Sequence, residues 1–262
     1  GAWETQWPNK PDIVLEGGNC IIDDLGSVCS HEELSPVSLD SDFKTNLFIP
    51  FNGTSSAAAF ASKILAELRL EYPDYWPETL RGLLIHSAIW TDNMLVDRDL
   101  NSEFDRRALL RSVGYGVPNL SKARTSANNA LTLIAEETIT PYRKEKNSIK
   151  SMEYHLYNLP WPQDVLLHEV AEKEAKITVT LSYFIEPNPG NKQYAQSYSY
   201  HSHELDFKLI KPGEKLDDFK RRISAATEGL EEEEKPDMKT EDWVIRERVR
   251  GKGSVKKDFL IT

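Results

Sequence analysis

Residues 52–70, with the sequence NGTSSAAAFASKILAELRL, join a turn of small residues to a helical pattern. Apolar side chains follow the i, i+3, i+4, i+7 spacing of a buried helical face, at Ala57, Phe60, Ala61, Ile64, Leu65 and Leu68. A helix that begins here has free backbone N–H groups and the positive end of its macrodipole beside the Ser55 hydroxyl. Since the transition state of acyl transfer develops an oxyanion that needs donors, this pattern suits a nucleophilic serine.

The same residues allow a second interpretation, in which the hydroxyl is only a helix cap. Serines and threonines before helices commonly accept a hydrogen bond from an amide two or three positions later. For the sequence GTSSA at residues 53–57 taken alone, a cap is the default interpretation. Motifs elsewhere in the chain favour the nucleophile.

Residues 53–57 resemble the serine motif of the subtilisin-like serine peptidases (subtilases). The family pattern is Gly-Thr-Ser-x-Ala, followed by a small residue and usually a proline, at the start of a long buried helix. Gly53, Thr54, Ser55 and Ala57 match this pattern, and Ser55 falls on the nucleophile. Ala59 stands where the family usually has its proline, a departure that does not touch the nucleophile.

Three further motifs occur in the order of the family. The sequence KPDIV at residues 10–14 resembles the segment upstream of the serine, although EGG at residues 16–18 replaces the usual Ala-Pro-Gly. Residues 77–88 resemble the helix that packs behind the serine helix, and GYGVPN at residues 114–119 with Ala123 resembles the closing motif. The resemblance covers about residues 8–130, and four motifs in order are far more specific than one.

The resemblance implies a serine endopeptidase that acts on polypeptide substrates, with Ser55 as the nucleophile and Asn52, Gly53 and Thr54 as the motif backbone around it. The family orders its triad Asp, His, Ser, so the base belongs upstream of the serine. The one upstream histidine, His31, lies in SHEE and not in the His-Gly-Thr motif of the family, and no Asp-Ser/Thr-Gly segment is present. Asn19 and Asn46 do not lie in the motif of the oxyanion asparagine.

We therefore expect a C-terminal part of a larger catalytic domain. The missing N-terminal part of the same protein would supply the Asp, the His, the asparagine and most of the sheet. The 262-residue chain alone is expected to be inactive as a peptidase.

The expected fold class is α/β. We predict that residues 1–140 form the C-terminal portion of a subtilisin-like, doubly wound parallel-sheet domain, with a buried strand at 13–15, an acidic surface excursion at 20–50, a salt-bridged loop at 91–111 and a helix at 120–134. Residues 141–150 read as a polar linker. Alternating residues at 175–183, further short strands and a helix at 214–227 predict an antiparallel β-sandwich domain over 141–262.

The composition limits which binding partners and which cellular compartment we expect. A net charge of −10 disfavours nucleic acid and anionic membrane surfaces, and no apolar run approaches the roughly 20 residues of a membrane span. The N-terminus has no signal-peptide pattern, and a cytoplasmic location is expected, with secretion as the alternative. Cys20 and Cys29 form either a disulfide or a pair of free thiols.

No cofactor or metal is expected. The Asp40-x-Asp42 pair lacks the glycine and the twelfth-position glutamate of a calcium loop. His201 and His203 would share one face of a strand, but no third ligand is evident.

Two other classes of function remain open. A non-catalytic scaffold or binding protein can keep a subtilase fold with a degenerate site, because fold alone does not secure function. An α/β-hydrolase orders its triad Ser, acid, His, but its elbow is Gly-x-Ser-x-Gly after a strand. Here Ala57 fills the last position of that elbow, and Pro50 is expected to interrupt the preceding strand.

Overall fold

The computed structural model describes residues 10–128, 132–139, 142–145, 148–151, 155–159, 175–184, 207–210, 214–227 and 253–261. Its helices are α1 Thr54–Glu71, α2 Pro77–Ser87, α3 Asp92–Leu95, α4 Glu103–Val113, α5 Leu120–Asn128 and α6 Leu216–Thr227. Its strands are β1 Cys20–Ile22, β2 Val28–Ser30, β3 Val37–Leu39, β4 Phe48–Pro50, β5 Tyr142–Glu145, β6 Ser148–Ser151, β7 Ala175–Tyr183 and β8 Gly253–Ile261. In the described residues these strands form four two-stranded antiparallel sheets, each made of consecutive strands.

The core lies where α1, α2 and α5 meet. Its buried centre is a cluster of four side chains, Leu68, Leu80, Leu83 and Ala123. The apolar spacing at 57–68 and 80–84 therefore predicted both helices and most of the faces that they bury, but Phe60, expected in the buried face of α1, is 42% exposed. Pro77 is the first residue of α2, where its missing N–H leaves no hydrogen bond unmade.

Tyr72 closes α1 and packs against this cluster. Its backbone N–H donates to the Leu68 carbonyl at 2.8 Å, and its phenol accepts a hydrogen bond from Asn128 Nδ2 at 2.7 Å. Burial raises the pKa of the Tyr72 phenol above its usual value of 10.0, and the Glu71 carboxylate adds to the increase. The contact with Asn128 ties the end of α1 to the end of α5.

The opposite face of α2 packs against β7. Thr180 Oγ1 lies 2.9 Å from His86 Nδ1, and the Arg81 guanidinium lies 5.6 Å from the centre of the Phe184 ring. A Cβ added at Gly82 would lie 3.4 Å from Ser182 Cβ, so the absence of a side chain brings the strand close to the helix. His86 is thus a packing histidine. α2 is covered on two sides.

The acidic and basic stretch at 91–111 is mostly helical, as α3 and α4, so the predicted salt-bridged loop is right only for residues 96–102, where Arg98 pairs with Asp105 of α4. The Ser102 side chain caps α4 by accepting from Asp105 N–H, with acids in the first turn and Arg111 in the last. This charge order complements the helix dipole, and the cap stabilises the first turn. Both signals are visible in the sequence, but the stretch was interpreted as a solvated run of charges.

Three further predictions fail for local reasons. Residues 13–15 are half-buried and not a strand, since few backbone hydrogen bonds join them to the rest of the chain, among them Val14 N–H to the Gly116 carbonyl. The expected linker contains the hairpin of β5 and β6. Pro50 does not interrupt a strand, because β4 includes it at a sheet edge, where no ladder donor is needed. The excursion at 20–50 is exposed, as expected, but it folds into two hairpins.

The helix expected at 120–134 is confirmed only as α5, and residues 132–139 have no regular structure. The strand at 175–183 and the helix at 214–227 are confirmed as β7 and α6. β7 pairs over its whole length with β8, which was not predicted. The described residues contain neither the doubly wound parallel sheet nor a β-sandwich. Of the two strands expected between 185 and 252, at 198–210 and 243–249, only residues 207–210 are described, and they have no regular structure. Those two architectures and the domain boundary at 140 stay predictions.

Candidate active site

Ser55 is the second residue of α1, and its side chain is exposed. The cap position is Gly53, which offers no side-chain hydrogen bond, so Ser55 is not the N-cap. Within the described residues its hydroxyl has no hydrogen-bond partner. The helix therefore begins beside a hydroxyl that is open to solvent, which a nucleophile requires and a cap does not.

The electrostatics at this helix start suit an anion. The first amides of a helix have no intrahelical acceptor and carry the positive end of the macrodipole. No acidic residue lies in the first turn of α1 to neutralise that end. An oxyanion that develops beside Ser55 would therefore meet unsatisfied donors.

A backbone contact with Gly17 and Gly18 holds the serine turn in place. Gly53 N–H donates to the Gly17 carbonyl at 2.7 Å. A Cβ added at Gly18 would lie 1.6 Å from Asn52 Oδ1, so any larger residue would displace the Asn52 side chain. Asn52 and Thr54 are exposed and Gly53 is half-buried, so the motif backbone faces solvent on one side and the 16–18 segment on the other.

The segment before Gly17 is held in turn by the closing motif and by α2. Tyr115 N–H donates to the Asp12 carbonyl at 2.8 Å, and the Asp12 carboxylate pairs with Arg81 at 3.0 Å and with Lys10 at 2.7 Å. At the other end of α2, Asn119 N–H donates to the Ser87 hydroxyl at 3.1 Å. All four motifs are thus connected by direct contacts around the start of α1.

The described residues bring no general base to Ser55. His31 is half-buried beside the single helical turn Glu32–Leu34, His86 is bonded to Thr180, and His155 is exposed beside Tyr157. None of these three forms a hydrogen bond with Ser55. Asn19 Oδ1 accepts from Cys20 N–H, so the Asn19 side chain is used locally. His31, Asn19 and Asn46 receive no catalytic role.

The part of the chain that the structure describes shows neither a disulfide nor a group of three possible metal ligands. Cys20 and Cys29 are exposed and free. Cys20 pairs with Ser30 and Cys29 with Ile21, and adjacent cross-strand pairs project to opposite faces, so the two thiols point apart. No group of three metal-ligating side chains occurs among these residues, and His201 and His203 lie outside them.

A cavity of about 280 Å³ opens on the flank of α1, away from the serine. It is lined by Leu15, Glu16, Phe60, Lys63, Ile64, Glu67 and Leu120. Ser55 is not part of this lining, so the cavity is not the predicted site. No described helix has both the length and the apolar character that crossing a membrane requires.

Comparison with known proteins gives one finding. Residues 2–116 match the sequence model of the Subtilase family. The matched region contains the first three motifs and ends inside the closing motif, so the resemblance inferred from these motifs is confirmed over these residues, and an α/β fold class is supported. No curated protein and no solved structure matches the chain. The match does not extend to the β-rich region that follows.

Proposed function

Because residues 2–116 of this chain match the Subtilase family, we propose that the protein is a serine endopeptidase whose nucleophile is Ser55. The observation that carries this proposal is the open hydroxyl at the second position of α1, beside a helix terminus without acidic neighbours. The substrate is a polypeptide. The chemistry is acyl transfer, in which the hydroxyl attacks a peptide carbonyl and helix-start amides help to stabilise the oxyanion.

The base is supplied from outside the described residues. A serine hydroxyl is a poor nucleophile until a positioned base removes its proton, and no described histidine contacts Ser55. We propose that the His, its orienting Asp and the oxyanion asparagine belong to an N-terminal part of the same protein. The 262-residue chain alone is then inactive, and peptide hydrolysis by the purified chain that Ser55→Ala abolishes would contradict this proposal.

A fluorophosphonate probe tests the nucleophile directly, because it reacts only with an activated serine. In the full-length protein we expect labelling at Ser55, mapped by mass spectrometry of the digested adduct. Ser55→Ala should abolish labelling, whereas the neighbouring Ser56→Ala should retain it. Labelling at another serine, with Ser55→Ala unaffected, would overturn the assignment.

A non-catalytic scaffold is the second candidate function, and the missing contact between Ser55 and a histidine favours it. Reaction of the full-length protein with the fluorophosphonate probe distinguishes the two candidate functions. A folded full-length chain that binds polypeptides but does not react with the probe would be a scaffold. A chain that reacts at Ser55 is an enzyme.

A further inference from the structure

The hairpin of β3 and β4 carries an apolar face immediately before the serine motif. Val37 is paired with Pro50 and Leu39 with Phe48, and these pairs share one face of the hairpin. Ser38 and Ile49 lie on the other face. We call Val37, Leu39, Phe48 and Pro50 the hairpin face.

The hairpin face is uncovered to an unusual degree. Val37 is 71%, Leu39 70% and Phe48 60% exposed. Contiguous apolar patches of this kind mark interaction sites, and an isolated two-stranded hairpin is marginally stable in water. Since β3 and β4 pair only with each other among the described strands, each also keeps one edge with free backbone donors and acceptors.

The segment that contains this hairpin is mainly acidic. Residues 20–51 contain one basic side chain, Lys44, against six carboxylates: Asp23, Asp24, Glu32, Glu33, Asp40 and Asp42. None of the six forms an ion pair with a described cation. Asp40 and Asp42 follow β3 directly and accept hydrogen bonds only from neighbouring loop groups. A ligand that covers the face would meet negative charge at its border, which favours basic groups in that ligand.

The hairpin leads directly into the serine turn, through Phe51 on the face opposite Phe48 and Pro50. Phe51 follows β4, its N–H donates to the Pro36 carbonyl at 2.8 Å, and its ring lies within 3.7 Å of a Cβ built on Gly53. Three residues separate Phe51 from Ser55. A chain that pairs with the edge of β4 would therefore run towards the serine turn.

We propose that the hairpin face binds an extended polypeptide in which apolar residues alternate with lysine or arginine, and that such polypeptides are the substrate class. The peptide adds a strand to the hairpin, its apolar side chains cover the hairpin face, and its basic side chains meet the surrounding carboxylates. The statement that such peptides are substrates rests on the proposed function. Binding itself does not depend on Ser55.

The test measures binding by fluorescence anisotropy to the full-length protein carrying Ser55→Ala, so that no peptide is cleaved. Three labelled twelve-residue peptides serve as probes: Leu and Phe alternating with Lys, the same peptide with Glu for Lys, and the same peptide with Ser for Leu and Phe. We expect the first to bind and the other two to bind about tenfold more weakly or worse. Added salt should weaken the binding of the first.

Matched variants locate the site. Leu39→Ser and Phe48→Ser should each weaken the Lys peptide about tenfold, whereas Leu70→Ser, which changes an equally exposed residue at the far end of α1, should not. Asp40→Asn with Asp42→Asn keeps the side-chain acceptors of the loop but removes two charges, and should reduce the salt dependence. Asp74→Asn is the charge control.

Three outcomes would overturn the proposal. In the first, the Glu peptide binds as tightly as the Lys peptide, and in the second, the face variants bind normally. In the third, none of the peptides binds and Phe48→Ser converts a dimer to a monomer, which assigns the face to a second copy of the chain. These failures are distinguishable from failure of the proposed function. Selective binding without probe labelling at Ser55 would leave a recognition surface on a protein that is not a peptidase.

Discussion

The position of Ser55 follows from the small residues around it. Gly53 lets the backbone approach Gly17 to 2.7 Å, and α1 starts at the next residue, so that the Ser55 side chain leaves the first turn into solvent. Gly18 leaves room for the Asn52 side chain in the same contact. The residue pattern predicted the helix start and the hydroxyl. The contact between residues 17–18 and 52–53, which are far apart in sequence, was not predicted.

At the residue scale, we predict that Gly116→Ala destabilises the fold strongly. Gly116 has φ +94°, and an added Cβ would lie 2.0 Å from the Ile89 carbonyl oxygen, a backbone atom that cannot move without breaking the Ile89–Val117 bridge. The left-handed backbone costs about 1–2 kcal/mol and the displaced backbone about 1–3 kcal/mol more. Urea denaturation monitored by circular dichroism measures the free energy of unfolding.

Gly26→Ala is the matched control for this change. Gly26 has a similar φ of +80°, but nothing lies within 4 Å of an added Cβ. Gly26→Ala should lower the free energy of unfolding only by the cost of the left-handed backbone, about 1–2 kcal/mol. Equal losses in the two variants would show that the close approach to Ile89 contributes nothing.

At the element scale, prediction succeeded where apolar periodicity was strong. α2 buries the apolar face that its spacing predicted, and α1 buries Leu68 and half-buries most of its predicted stripe. The alternation of β7 predicted the strand but not its packing, because the side with Thr180 and Ser182, and not the apolar side, lies against α2. α4 was missed because its charges were taken as a solvated loop, although they suit its dipole. The hairpins at 20–50 were missed because their short strands have few buried side chains to mark them.

The junction of α2 and α5 depends on one buried hydroxyl. Ser87 Oγ donates to the Leu84 carbonyl and accepts from Asn119 N–H, and the residue is fully buried. We predict that Ser87→Ala lowers the free energy of unfolding by about 1 kcal/mol, because the Asn119 N–H loses its acceptor. Thermal or urea unfolding of the purified chain measures the loss.

Ser112→Ala serves as the control, since Ser112 donates to the Ala108 carbonyl in the same way on an exposed face of α4. That change should stay within about 0.5 kcal/mol. If both variants lose the same stability, the link between Ser87 and Asn119 is not what holds the two helices together.

At the scale of the whole molecule, α2 joins the region with subtilase motifs to the later β-rich chain. One side of α2 meets α1 and α5, and the other meets β7 through Gly82, His86 and Arg81. Arg81 also pairs with Asp12, so the same side chain contacts β7 and the segment that leads to Gly17. β7 therefore supports α2 and, through Arg81, the segment that positions the serine turn.

Two substitutions at Gly82 test this packing in opposite directions. Gly82→Ala should raise the free energy of unfolding by about 0.5–1 kcal/mol, because alanine favours the helix and its Cβ makes an ordinary contact with Ser182 at 3.4 Å. Gly82→Leu should lower it by about 1–3 kcal/mol, because the larger side chain forces β7 away from α2.

Hydrogen exchange should also distinguish the Gly82 variants. Faster exchange of the β7 amides is expected in Gly82→Leu and not in Gly82→Ala. If leucine were tolerated as well as alanine, with unchanged exchange in β7, the strand would not be packed tightly on α2.

The sequence by itself determined the local and periodic features of this protein: the start of α1, its buried stripe, the serine motif and the alternating strand β7. These features depend on neighbouring residues and on one buried face, so they are readable without a fold. Only the tertiary structure decided that residues 10–18 join the serine turn to the closing motif, that β8 pairs with β7, and that the hairpin face is left uncovered. Those contacts join residues far apart in the chain, and their partners are selected by shape and hydrogen bonding that no local pattern encodes.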